Sequence, residues 1–243
     1  MPKSEPRSRK NDPETTKQDI LAVATEEFAA HGLAGARVDA IAERTRTSKR
    51  MIYYYFGSKE DLYLAVLERA YRGIRVLEAQ LDLSSLAPAQ ALRTLIETTF
   101  DYDEENPDFI RLVAGENINR AEHMQRSIVL RDLNISVINT LDEIIKRGLE
   151  DGSFKRKVDP IDLHMMISSL CLFRVSNRYT FGTLFRRDLS EPTLYAAHRK
   201  MAGDAVVSYM MSADEAAHCR DAPPETGAAP ARGSHGRAYS PCR

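Results

Sequence analysis

Cysteine is scarce in this chain of 243 residues: Cys171, Cys219 and Cys242 are few and odd in number. That usage argues against a disulfide-built scaffold and fits a protein kept in a reducing cytoplasm. No uninterrupted apolar run is long enough to cross a bilayer. The opening segment MPKSEPRSRKNDPETT is polar and lacks the apolar stretch of a secretory signal. A cytoplasmic protein with no membrane partner is expected. The signatures of catalysis are missing too: there is no His-Glu-x-x-His spacing, no cysteine pair and no nucleophile elbow. His218, Cys219, His235 and Cys242 are irregularly spaced in a tail and are not read as metal ligands. The sequence therefore points to no enzyme, no cofactor and no metal. It also lacks internal repeats and alternating runs bounded by turn signals, which leaves an all-α chain.

What is present is helical periodicity. Ile20, Ala24 and Phe28 recur at four-residue steps in a helix from Pro13 to His31, with Asp12 as its start and Gly32 as its stop. Val38, Ile41, Ala42 and Thr45 mark a short second helix, and Ser48 to Phe56 a third, ended by Gly57. Ser58 with Asp61 resembles a capping box and opens a fourth, with Leu62, Ala65, Val66, Ala70 and Ile74 inward. Longer helices follow after Gly73: Pro88 to about Asp103, Pro107 to about Arg120, Ser127 to Asp151, Asp159 to about Tyr179, and Glu191 to Met211. Residues 1–12 are read as a disordered basic arm and 213–243 as a disordered tail, for want of any apolar period. Between them lie a small domain over 13–58 and a helical bundle over 59–212.

The formal net charge of −1 hides a local patch. Arg37, Arg44, Arg46, Lys49, Arg50 and Lys59 face only Asp39 and Glu43 within their window. Two short helices joined by a tight turn form a helix-turn-helix. In the second, Ile52 and Phe56 face inward, while Ser48, Lys49 and Arg50 stand at its start, where reading helices meet base edges and phosphates. Tyr53, Tyr54 and Tyr55 cannot all be buried, because successive helical positions fan out by about 100°. At least one must point outward beside the cations, and Lys59 is placed to hold a backbone phosphate. The arm cations Lys3, Arg7, Arg9 and Lys10 suit either DNA contact or simple solubility.

The stretch VDAIAERTRTSKRMIYYYFGSKEDLYLAVLE, residues 38–68, resembles the DNA-binding domain of the TetR family of transcriptional regulators, and the likeness extends back to Ile20. The resemblance implies DNA contacts from Arg37, Thr47, Ser48, Lys49, Arg50, Tyr53, Tyr55 and Lys59. Arg46 departs from it, standing where the family's turn usually holds glycine, and a non-glycine there costs about 1 kcal/mol if the position is left-handed. Tyr55 stands where a histidine is common. The resemblance further implies a helical regulatory domain enclosing a small-molecule pocket, a homodimer through the last two helices, and a repressor released from palindromic operator DNA by an inducer. An architectural DNA-binding protein with no inducer is the alternative.

The regulatory half offers apolar linings in Phe100, Phe109, Met165, Met166 and Phe173, and donors in Arg111, Asn117, Arg120, His123, Arg174 and Arg178. So many donors in an apolar region point to an organic acid as effector, since a buried cation is costly unless paired. The segment GENINRAEHM, residues 115–124, suits either ligand contact or helix-end hydrogen bonding. His164, Ser168, Cys171, Arg174 and Arg178 line one side of a helix apolar nearly all round, as a pocket wall or an interface seam. Ala202, Ala205, Val206 and Tyr209 form the stripe expected at the dimer interface.

Overall fold

Asp12 begins the first helix by accepting the Glu14 N–H at 3.3 Å, just before Pro13. The computed structural model describes residues 12–213, so the basic arm and the tail fall outside the described residues. Four helices form the N-terminal region: α1 (Pro13–Gly35), α2 (Val38–Arg44), α3 (Lys49–Phe56) and α4 (Lys59–Ala79). α1 is broken at Gly32, which takes φ 65, where the sequence marked a stop. α4 runs on past Gly73 to Ala79, further than the apolar pattern indicated. Six more follow: α5 (Pro88–Glu105), α6 (Pro107–Ile118), α7 (Ile128–Glu150), α8 (Pro160–Ser176), α9 (Arg178–Phe185) and α10 (Pro192–Met211). No strand occurs among the described residues.

The expected helix to Tyr179 is in fact two. Asn177 takes φ −106 and ψ 9, and its amide donates to Phe173 O at 3.3 Å and Ser176 Oγ at 2.8 Å. Such local side-chain bonds compete with helix continuation, and α9 starts afresh beyond them.

Two buried clusters organise the fold. The first joins Ile20, Ala24 and Phe28 of α1, Val38 and Ile41 of α2, Ile52 of α3, and Leu62, Tyr63, Val66 and Leu67 of α4. Leu112 of α6 and Leu130 of α7 belong to it, so the regulatory helices rest directly on the base of the head. The second is built on α5, α7, α8 and α10, around Leu92, Ile96, Phe100, Leu141, Ile144, Ile167 and Val206. The α10 stripe is divided: Ala202 and Val206 enter this core while Ala205 and Tyr209 stay exposed.

Candidate nucleic-acid interface

α3 is held by a single fully buried side chain. Ile52 is 0% exposed against α1, α2 and α4, and burying a residue of that size contributes about 1.5–3 kcal/mol. Ser48 caps the helix by accepting the Met51 N–H at 3.2 Å. The opposite face is open: Lys49, Arg50, Tyr53 and Tyr54 are exposed, Tyr54 to 78%. Tyr55 turns sideways instead. It is half-buried against the head core, with Lys17 Nζ 5.6 Å from its ring centroid. Phe56 packs partly buried beside it.

The turn before α3 contains the strain anticipated from the sequence. Arg46 adopts φ 53, a left-handed position, with its side chain exposed. Thr47 follows, half-buried, its N–H donating to Ala42 O at 3.0 Å. Arg37 precedes α2. Its backbone N–H donates to the buried Glu27 carboxylate at 2.9 Å while its side chain stays exposed. Lys59 opens α4, its Nζ 3.4 Å from Ala34 O. Arg44 is ion-paired with Glu26, and Lys49 with Asp39 at 3.2 Å. These exposed pairs are weak and rearrange cheaply. Among the described residues Arg37, Arg46 and Arg50 have no acidic partner, so three guanidinium groups are free for phosphate or base edges.

Of the expected effector residues, Arg174 lies 5.6 Å from the Phe100 ring centroid and shares Glu104 with Arg178, while the others lie apart. Phe100 is buried in the second core and Met166 packs partly buried against that core, whereas Phe173 is half exposed and meets Phe181 of α9. Asn117 is exposed and bonds back to Val113 O at 3.0 Å, and Arg120 is exposed at φ 57. His123 lies against Tyr63, ring centroids 5.3 Å apart, with Nδ1 3.0 Å from Glu116. Phe109 stands apart, edge-on to Tyr71 and Tyr102 at 5.1 and 5.9 Å.

The inference from unpaired cations needs correction. Arg174 and Arg178 both ion-pair with Glu104, the second at 2.6 Å, and Arg174 also donates to Leu189 O. Arg111 pairs with Asp108 at 2.9 Å. Glu97, Asp101 and Glu104 form an acidic stripe on α5; Arg199 of α10 reaches Asp101 at 2.7 Å and Glu97 at 2.6 Å. Their four- and three-residue steps were visible in the sequence and face the basic residues of α8 and α10. The polar seam of α8 likewise turns inward, with Cys171 Sγ 3.8 Å from Ile96 O.

Two features had no counterpart in the sequence reading. A groove of about 690 Å³ lies where α1, α4 and the α5–α6 junction meet, with Phe109 and Tyr102 in its wall. α4 and α5 also carry buried polar residues. Arg75 of α4 pairs with Glu78 at 2.6 Å, both less than a tenth exposed, and Asp103 of α5 is 4% exposed. Burial pushes the Glu78 and Asp103 carboxyls up to about 7, against the opposing pull of Arg75. Burial, and then Arg75, push His164 of α8 down to about 4.

Residues 20–66 match the family described as bacterial regulatory proteins, tetR family, and residues 88–206 match the tetracyclin repressor-like C-terminal domain. The HTH-type transcriptional repressor NicS of Pseudomonas putida is 37% identical over 176 residues, covering 72% of this chain and 83% of that protein. The chain belongs to the TetR family of transcriptional regulators. The HTH-type transcriptional regulator RutR of Escherichia coli K12 is 31% identical over 152 residues, 62% of this chain and 68% of that protein. A crystal structure of the putative transcriptional regulator SCO4942 from Streptomyces coelicolor superposes with a TM-score of 0.61 at 31% identity, covering 79% of this chain and 96% of that one. The described residues are thus those of an all-helical transcriptional regulator of the TetR family. No helix among the described residues is long and apolar enough to cross a membrane.

Proposed function

We propose that two copies of this TetR-family repressor present their α3 helices to the two halves of a palindromic operator, and that an effector releases them. The observation that carries this reading is the open face of α3, with Arg50 unpaired and Tyr54 exposed above the fully buried Ile52. Arg37, Thr47, Ser48, Lys49, Tyr53, Tyr55 and Lys59 complete the DNA-contact set. Support for a dimer comes from α8 and α10. Ile161, Met165, Ser169 and Phe173 recur every four residues on an exposed row, as do Ala197, Met201, Ala205 and Tyr209. Apolar rows of this kind on two neighbouring helices suit a four-helix interface with a second copy. Two reading helices must stay about 34–36 Å apart, so an effector that binds better to another spacing lowers DNA affinity.

Titrating the full chain against labelled duplex selected from a random pool, with and without candidate effectors, tests this reading. Sequence-specific binding that a small molecule weakens is the expected result. Specific binding that no effector changes would fit an architectural protein instead. The organic-acid assignment loses its original motive, because Arg174 and Arg178 are already paired.

A further inference from the structure

Five charged side chains line the groove of about 690 Å³ between α1, α4 and the α5–α6 junction. Two of them are already committed: Glu26 is ion-paired with Arg44, and Asp108 with Arg111 at 2.9 Å. The other three, Arg69, Arg72 and Glu105, are exposed and have no ion-pair partner among the described residues. Two uncommitted guanidinium groups against one uncommitted carboxylate leave the groove short of one negative charge. Arg69 and Arg72 stand three apart on α4, on the same side of that helix. Arg69 makes one weak polar contact, from Nη1 to Thr25 Oγ1 of α1 at 3.4 Å. Both guanidinium forks are thus free to take a planar acceptor with two oxygens. These cations are distinct from Arg174 and Arg178, which Glu104 already holds.

The rest of the lining is small or flat. Ala22, Ala70 and Gly73 leave room, while Tyr102 and Phe109 supply ring surface. Tyr102 is fixed in place: its hydroxyl donates to Ala70 O at 3.2 Å, and an added Cβ at Gly73 would come within 2.4 Å of that oxygen. Phe109 is held edge-on by Tyr71 and Tyr102. Preformed aromatic surface beside free guanidinium groups fits a ligand with an aromatic body and an anionic end. The groove also joins two parts of the fold, since Ala22 and Thr25 belong to α1 of the reading head and Phe109 to α6 of the regulatory bundle.

We propose that this groove binds an aromatic monocarboxylate, with its carboxylate held by Arg69 and Arg72 and its ring against Tyr102 and Phe109, and that binding alters the setting of α1 against α6. This rests on the effector reading above and names the effector's class and its site. On binding, the Arg69 guanidinium leaves Thr25 for the ligand, and the tie between α4 and α1 gives way to one that runs through the ligand to α6. A neutral amide forgoes the charge-assisted pairs, and a cation meets the surplus positive charge.

The probes are cinnamate and cinnamamide, titrated calorimetrically into the full chain, with operator binding measured on the same preparations. Cinnamate should bind the parent about tenfold more tightly than cinnamamide, or better. A double variant carrying Arg69→Gln and Arg72→Gln changes only exposed side chains. It should lose about tenfold or more in cinnamate affinity while its cinnamamide affinity stays that of the parent. Saturating cinnamate should also weaken operator binding by the parent. No cinnamate binding, equal binding of the two probes, undiminished cinnamate binding by the double variant, or an operator affinity that saturating cinnamate leaves unchanged would overturn the inference. If the untreated parent binds its operator specifically in those cases, only this inference falls. An absence of operator binding by the untreated parent would count against the regulator reading instead.

Discussion

Glu116 Oε1 lies 3.0 Å from His123 Nδ1, while Oε2 accepts the backbone N–H groups of His123 at 3.2 Å and Met124 at 3.1 Å. Glu116 is 1% exposed. Burial first, and then this carboxylate, hold the Tyr63 hydroxyl well above its ordinary acidity range. Tyr63 packs edge-on against Phe28 of α1, ring centroids 5.1 Å apart. A regulatory-side carboxylate thus holds the loop after α6 and the base of the reading head together.

Replacing Glu116 with Leu should therefore destabilise the fold by roughly 1–3 kcal/mol, because half-buried donors of His123 and Met124 lose their acceptor. Urea unfolding should show a lower midpoint at an unchanged slope. A midpoint equal to the parent's would mean that this junction contributes no stability.

At the turn before α3, Arg46→Gly should relieve the left-handed strain and stabilise by about 1 kcal/mol. For a chain of this size that raises the melting temperature by roughly 2–4 °C. Operator affinity should fall in the same variant if the exposed guanidinium reaches phosphate. A lowered melting temperature would contradict the strain argument.

Arg50→Ala should weaken operator binding by about 1–3 kcal/mol and relax preference at one or two base positions. Lys59→Ala should weaken all duplexes alike and reduce the slope of log affinity against log salt by about 1. Anisotropy titrations at several salt concentrations separate the two behaviours. Parental binding by both variants would remove α3 from the DNA.

Ala205 lies exposed on α10 in the row with Met201 and Tyr209. Ala205→Glu should place a charge in a dry interface and weaken self-association by roughly 3 kcal/mol or more. Sedimentation should show monomers where the parent sediments as a dimer. A monomeric parent at all concentrations would remove the dimer from the account.

The pH dependence of stability follows from the buried titratable residues. Glu78 and Asp103 titrate near about 7 in the fold and near about 4 in the unfolded chain, so the fold retains protons that the unfolded chain has released. Stability from these two groups is therefore fully present below about pH 4 and is lost as pH rises to about 7. His164 acts oppositely, since its folded value near 4 makes stability fall as pH drops below about 6.5. Burial raises Tyr71, Tyr102 and Cys171, which stay neutral in this range. Two carboxyls outweigh one imidazole, so urea midpoints should fall between about pH 4 and 7 and level off above, and Asp103→Leu should flatten that fall. A midpoint that climbs steadily to pH 8 would contradict the assignment.

The reading head was legible in the sequence because its information is local. Ile52 as the inward residue follows from spacing within a dozen positions, and the left-handed Arg46 from the resemblance to a family whose turn usually holds glycine there. The bundle was legible as helices but not as a site. Glu104 serves Arg174 and Arg178 from some 70 positions away, and no local period reveals which face of α5 meets α8. The boundary at Asn177 depends on two side-chain bonds too weak to read from composition. The burial of Arg75 and Asp103 is not legible in the sequence, because charged side chains are normally exposed and only packing shows otherwise.

Selection of duplexes from a random pool by the full chain, followed by sequencing, tests the central claim most directly. The account predicts an enriched motif of two inverted half-sites with centres about 10–10.5 base pairs apart, or a multiple of that spacing. The same selection with Arg50→Ala should return the motif with one or two positions per half-site degenerate. A pool without an enriched motif, or a motif identical for the parent and Arg50→Ala, would contradict it.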